Sequence, residues 1–189
     1  LDILKLLKEN IDTKKKYNHL LRVAINKKIL SISLRKRVNP KLNFDLRLVE
    51  LKRNKPEFKN LKYKEILKYL SKLDNSKSDI GLCFNKKILE TGTSNLLFIK
   101  NNQVFSPNDN FYRGTTYKFF NSKIKNIVKK DILIKSLKEF DEIILIGSGK
   151  GVASVKTISS LKWKRKSLKI YKALLKNYKS AIINCPRFR

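Results

Sequence analysis

DIGLCFNKKILETGTSNLLFIKNNQVFSP, running from Asp79 to Pro107, is the stretch on which the fold turns. It reads as apolar strands over Ile80 to Phe84, Ile88 to Thr93, Asn95 to Lys100 and Val104 to Ser106. Asn85-Lys86-Lys87 and Asn101-Asn102 supply the turns. At the centre a carboxylate, Glu90, is followed by the small polar run Thr91-Gly92-Thr93-Ser94-Asn95. Taken alone, that run is a tight β-arch with an exposed glutamate.

Upstream, Phe44 to Leu51 alternates as a strand and gives way to a loop at Pro56. Leu61, Ile66, Leu67, Leu70 and Leu73 then place a helical stripe over 61–73. Earlier still, Leu21 to Ile25 and Ile29 to Leu34 flank Asn26-Lys27-Lys28 and predict a hairpin. Leu1 to Leu7 is helix-like and is followed by a polar loop at Lys14 to Lys16. Arg35 to Pro40 is basic, aperiodic and ends in Asn-Pro, as a linker does. Downstream, Gly114-Thr115-Thr116 opens a helix running to Ile124. Ile132 to Ile134 and Glu142 to Ile146 are expected as strands around a helical turn at Ser136 to Phe140. A glycine loop, Gly147 to Gly151, leads into Val152 to Lys156, and Ser167 to Tyr178 forms a last helix. No internal repeat is visible. Mixed and mostly antiparallel β-structure with a few helices implies an α+β or barrel-like fold.

Composition narrows the function. With 189 residues, 41% of them hydrophobic, the chain can bury a real core, and it is long enough for one domain plus part of another. No run of eighteen apolar residues occurs, so no helical membrane span is expected. Cys83 and Cys185 form no disulfide or metal spacing; Cys83 is expected as a buried thiol, and the cytoplasm is the expected compartment. His19 stands without neighbouring ligands, so no metal site is expected. The net charge of +30 points toward nucleic acid. Its source argues the other way: 36 lysines face 9 arginines along the whole chain, isoleucine (20) and asparagine (18) are inflated, and alanine (4) is scarce. Codons rich in A and T drive composition in that direction whatever the function. With no methionine at all, the chain is expected to be the N-terminally incomplete, larger part of a longer protein.

The 79–107 stretch resembles the signature of the class IV aminotransferases, in which E-x-x-x-x-N sits between two strands and a T/S-P pair follows. It also resembles their lyase relative, aminodeoxychorismate lyase. Phe58-Lys59-Asn60-Leu61-Lys62-Tyr63 resembles the family's lysine segment. Gly114-Thr115-Thr116 resembles its G-I-T helix start. Asp141-Glu142-Ile143, leading to Gly147-Ser148-Gly149 and Val155, resembles its D-E, strand, G-T and V segment. These segments keep the family's order across roughly 45–160.

The resemblance implies the fold type IV of pyridoxal 5'-phosphate (PLP) enzymes. Residues 1–36 would end a small α+β domain, 37–40 would link, and 41–189 would form the larger pseudo-barrel domain, with the cofactor between the two. A homodimer and a small-molecule amino substrate are implied with it. Lys59 becomes the catalytic lysine that joins the cofactor's aldehyde, for which its amine must be neutral near pH 7. Glu90 becomes the carboxylate that keeps the pyridine nitrogen protonated. Thr115 and Thr116 at a helix start, with Ser148 from the glycine loop, would hold the phosphate. Tyr63 would reach the cofactor's phenolate oxygen or else pack a helix. The leading reaction is aminodeoxychorismate lyase, forming 4-aminobenzoate and pyruvate, because Lys59-Asn-Leu-Lys-Tyr lacks the glycines of branched-chain transaminases. A branched-chain or D-amino-acid transaminase is the alternative within the family, and a non-catalytic basic nucleic-acid-binding protein is the alternative outside it.

Departures are visible as well. Lys62 stands where the family commonly has asparagine and Tyr117 where it has arginine. Lys150 falls in the glycine loop, and the small-domain phosphate arginine has no counterpart here. Two decoys fall away. Gly147 to Gly151 fails as a P-loop, since 144 is isoleucine and 151 is glycine, and it fails the dinucleotide spacing too. Lys162 to Lys179, basic and amphipathic, is expected to dock its apolar stripe on the sheet rather than lie on a membrane or RNA.

If the charge is compositional, RNA and DNA binding measured by fluorescence anisotropy will be weak, indifferent to sequence and lost steeply with salt. Sequence-selective nanomolar binding at physiological salt would reverse that reading.

Overall fold

The structure, a computed structural model, describes residues 3–12, 14, 15, 17, 19–60 and 62–185. Leu1, Asp2, Lys16 and Leu61, each part of an expected element, lie outside the described residues. The chain divides into two compact units, 1–37 with 184–189, and 38–183.

The first unit holds helix α1 (Ile3–Asn10) and the expected hairpin, β1 (His19–Ile25) with β2 (Leu30–Lys36), paired antiparallel from His19↔Lys36 to Ile25↔Leu30. Asn26 makes the turn: its Oδ1 accepts the N–H groups of Lys28 and Ile29 at 2.8 and 2.7 Å.

In the second unit the strands are β3 (Phe44–Glu50), β4 (Ser78–Phe84), β5 (Lys87–Thr91), β6 (Asn95–Lys100), β7 (Gln103–Ser106), β8 (Ile127–Lys129), β9 (Glu142–Gly147), β10 (Gly151–Ile158) and β11 (Trp163–Lys164). The helices are α2 (Lys64–Leu70), α3 (Thr115–Lys123) and α4 (Lys169–Ile183). The sheet runs β5-β4-β3-β10-β9-β6-β7-β8, with β11 beside β10. Pairing is parallel at β3–β4, β3–β10 and β7–β8 and antiparallel elsewhere in the sheet.

That order forces a curl. β5 and β6 are joined by residues 92–94 alone, yet four strands lie between them along the sheet. Laid flat, five strand spacings would separate them by about 24 Å. The four Cα steps from Thr91 to Asn95 reach ~14 Å at most. The sheet therefore bends on itself, and the 92–94 turn closes the bend.

Burial on both faces explains the unbroken apolar runs. In β9, Ile143 and Leu145 enter a cluster with Phe44, Phe98, Phe140 and Trp163. Ile144 and Ile146 face the opposite way, into a cluster with Phe120 of α3 and Tyr171 and Leu174 of α4. α4 thus docks its stripe on the sheet, as expected of the basic C-terminal stretch. Cys83 is buried, and desolvation pushes its thiol up to about 12.

Some local expectations fail. Ile132 to Ile134 is no strand: Ile132 and Leu133 bond to the β5 end of the sheet through single backbone contacts, and a 3-10 turn begins at Ile134. A strand forms instead at β8, three residues between Asn126 and Lys130, whose pairing to β7 rather than any alternation creates it. The helix within 61–73 shrinks to Lys64–Leu70.

α4 starts where buried Glu142 receives it. Glu142 Oε1 accepts the N–H of Ile170 at 2.9 Å, and Oε2 accepts that of Tyr171 at 2.8 Å. A carboxylate here satisfies two orphan donors and the positive end of the helix dipole together. Glu142→Ala will cost about 1–2 kcal/mol of stability in urea unfolding. An unchanged midpoint would contradict the capping role.

Candidate active site

Closure of the curl brings the Glu90 to Asn95 motif against the Tyr112–Gly114 loop that opens α3. Glu90, next to last in β5 and opposite Leu82 of β4, is buried. Its Oε1 accepts Arg53 Nε at 3.0 Å and the N–H of Tyr112 at 3.4 Å, which leaves Oε2 to accept a further donor. Burial raises the Glu90 carboxyl above its ordinary value of 4.5, and the Arg53 guanidinium opposes that rise.

Five residues on, Asn95 opens β6 and turns its side chain to the same loop. Its Nδ2 donates to Tyr112 O at 2.5 Å, and its Oδ1 accepts Gly114 N–H at 3.2 Å. This gives the E-x-x-x-x-N spacing a physical meaning. Glu90 and Asn95, at the two feet of the closing turn, together grip the loop that delivers α3.

Gly114 is the N-cap of α3 and has no side chain to fill the helix's opening donors. Thr116, buried on the first turn, has its Oγ1 3.4 Å from Ser148 Oγ of the glycine loop, whereas Thr115 and Ser148 are exposed residues. Tyr117, standing where the resembled family has arginine, is buried and meets Ser106 at 3.0 Å between their hydroxyls. The Ser106-Pro107 pair is thereby joined to α3.

Lys59 is exposed, on the connection between β3 and α2. Asn60 organises that connection, donating to Asn54 O at 2.7 Å and accepting Lys62 N–H at 2.9 Å. Arg53 fastens its start to Glu90 and also donates to Gly92 O at 3.4 Å. Tyr63 packs with the cluster of Ile66, Leu70, Ile80 and Leu82 beneath α2. Of the six residues singled out from the sequence, Thr116 and Ser148 are thus brought into contact, Thr115 adjoins them on α3, and Glu90 lies across the Tyr112–Gly114 loop from them.

Sequence reading missed Arg53, which lies in a loop without periodicity. One signal was available: where lysine is the compositional default, an arginine is a marked choice. Arg165 behaves alike, reaching Ser154 Oγ at 3.0 Å and Leu42 O at 3.3 Å. Asp79 and Lys150 were missed as a pair, since 71 residues separate them.

The model of the family described as amino-transferase class IV matches residues 1–158. Among the curated proteins no sequence matches. Solved structures share the fold. The branched-chain aminotransferase of Thermoproteus uzoniensis with norvaline superposes with TM-score 0.69 at 14% identity, over 86% of this chain and 61% of that one. The 4-amino-4-deoxychorismate lyase of Pseudomonas aeruginosa gives 0.67 at 14% identity, over 85% and 69%. A T.th. branched-chain aminotransferase complexed with N-(5'-phosphopyridoxyl)-L-glutamate gives 0.65 at 13%, over 80% and 56%. The chain thus spans about three fifths of the length of most of these relatives.

The Glu90–Arg53 pair has a pH signature. A carboxyl raised by burial binds its proton more tightly in the folded chain. Its contribution to stability is therefore full below 4.5 and is lost as pH climbs through the raised value. Arg53→Met removes the opposing cation, so the Glu90 titration followed by 13C NMR will move further up. A midpoint unchanged from the parent chain would show that Arg53 does not act on this carboxylate.

Proposed function

Because the chain belongs to the class IV aminotransferase family, we propose that its curled sheet carries the large-domain half of a pyridoxal 5'-phosphate site. Lys59, Glu90, Thr115, Thr116 and Ser148 serve the cofactor in this reading. The observation that carries it is the pairing of a buried carboxylate with an uncapped helix start across one short loop. Glu90 Oε2 can accept from a ring nitrogen. The opening N–H groups of α3, with the Thr116 and Ser148 hydroxyls, suit a phosphate. The residues present therefore fit the group at both its ends.

When bound, PLP supplies an electron sink for the carbon that bears the substrate's amine. Glu90 keeps a proton at the ring nitrogen, without which that sink is poor. Arg53 serves by holding Glu90 in place while leaving Oε2 to the ring. The opening N–H groups of α3 and the Thr116 and Ser148 hydroxyls would hold the phosphate. Lys59, on the connection between β3 and α2, would take the proton from the amine-bearing carbon.

The reaction we assign is that of aminodeoxychorismate lyase: loss of that proton lets the ring aromatise to 4-aminobenzoate as pyruvate departs. The lysine segment supports this choice, since Lys59-Asn-Leu-Lys-Tyr carries none of the glycines of the branched-chain pattern. A transaminase would instead use Lys59 to move the proton from the substrate carbon to the cofactor. The substrate is a small amino compound, and the working assembly is a cytoplasmic homodimer. Tyr63, packed beside Ile66 and Leu70, would offer its hydroxyl to the cofactor's phenolate oxygen or else serve as packing for α2.

PLP added to the protein and trapped with borohydride will label the peptide containing Lys59, and Lys59→Ala will lose both the label and the visible band of lysine-bound PLP. A label on another lysine would move the catalytic assignment. Incubation with aminodeoxychorismate will release 4-aminobenzoate and pyruvate in equal amounts. Release of neither, alongside keto-acid formation from an amino acid and 2-oxoglutarate, would replace the lyase by the transaminase.

A further inference from the structure

Two opposite charges lie deep in the second unit and take no part in the site described above. Lys150 Nζ donates to Asp79 Oδ2 at 2.8 Å, with the side chains 5% and 0% exposed. The lysine crosses the ring of Phe44, its Nζ 4.6 Å from the ring centroid, to reach from the start of β10 over β3 to β4. Asp79 Oδ2 also accepts from the hydroxyls of Thr91 and Thr93 in the closing turn, at 2.9 and 2.5 Å. Its Oδ1 accepts the N–H of Ile80 at 2.8 Å. The carboxylate is thus surrounded by donors, and one of them arrives from the loop that carries Ser148.

That loop is the short turn of a hairpin closed by the Gly147↔Gly151 pair of β9 and β10. Gly147, Gly149 and Gly151 alternate with Ser148 and Lys150, so three of five residues have no side chain and the backbone is unusually free. Its two ends are wedged. A Cβ at Gly147 would lie 3.0 Å from Ser94 Oγ, and one at Gly151, where φ is +70°, would lie 2.8 Å from the Tyr178 ring. Between the wedges, Ser148 is exposed and Lys150 is the residue whose side chain reaches the core.

We propose that Lys150 is the positioning residue of this loop. Its ion pair with Asp79 locks the Gly147–Gly151 backbone onto the Thr91–Ser94 turn. The Ser148 hydroxyl is thereby held opposite Thr116, where the cofactor's phosphate binds. The inference rests on the PLP reading above and adds to it a buried charge pair that fixes the phosphate end of the site. A buried pair of this kind gains little stability over an apolar substitute, so its value lies in geometry.

The test uses the full chain and the variant Asp79→Asn/Lys150→Ala, which removes both charges together and leaves no lone ion in the core. Inorganic phosphate, PLP and pyridoxal, which lacks the phosphate, are titrated into both proteins, and amide exchange is followed at Ser148 and Gly149. The variant will lose phosphate and PLP affinity by about tenfold and keep its pyridoxal affinity. Exchange at 148 and 149 will quicken while β9 stays protected. Lys150→Met, which keeps an apolar stem over Phe44, will show the same selective loss. Phosphate affinity equal in parent and variants, with exchange at 148 and 149 unchanged, overturns the proposal. A parent chain that binds neither phosphate nor PLP, while the loop still loosens in the variants, overturns the cofactor reading and with it the phosphate role.

Discussion

Gly92, Thr93 and Ser94 must carry the chain from β5, at one rim of the sheet, to β6, with four strands intervening in the sheet order. Everything at the candidate site follows from how that short link is held. The turn is fixed from within, Thr91 Oγ1 accepting the N–H of Ser94 at 2.8 Å, and from below by Asp79. A Cβ at Gly92 would lie 2.9 Å from Ile80 and 3.2 Å from Asp79 Oδ1, so the turn can seat itself on β4 only without a side chain at that position. Once it is seated, Glu90 and Asn95 face the loop that begins α3, and the glycine loop after β9 lies against Ser94. One closure sets both ends of the site.

Buried charge is used sparingly, and each buried carboxylate is met by donors. Glu90 is met by Arg53, Asp79 by Lys150, and Glu142 by the first donors of α4. In a chain with a net charge of +30, a carboxylate inside the fold has many potential partners. The structure gives the most constrained of them to particular residues. A guanidinium approaches Glu90 through Nε and leaves one carboxylate oxygen for a ligand, while a compact ammonium suits the crowded pocket under the closing turn. The remaining lysines stand largely on solvated faces, as a composition set by codon bias would place them.

What the sequence made legible was local or had a fixed period. The two-sided strands β6 and β9 show as continuous apolar runs, the turns show as Asn26-Lys27-Lys28 and Asn101-Asn102, and the E-x-x-x-x-N spacing marks the closing turn. α4 was legible as an amphipathic stripe, although its start is set by Glu142, many residues away. The rest depends on partners distant along the chain. β8 exists because β7 offers an unpaired edge, and its three residues carry no alternation. Arg53 gains meaning only when Glu90 is folded against it. Lys150 stands out as an intrusion in a glycine loop, yet its partner Asp79 marks in the sequence only the boundary before the strand Ile80 to Phe84. Pairings across 37 and 71 residues leave no periodic trace.

This rim of the curled sheet is proposed to hold the cofactor in one orientation. A crystal structure of the protein grown with PLP tests it most directly. The ring nitrogen should lie within hydrogen-bonding distance of Glu90 Oε2. The phosphate should lie at the start of α3, between the Thr116 and Ser148 hydroxyls. PLP found elsewhere on the chain, or bound with its phosphate toward Glu90, would contradict it.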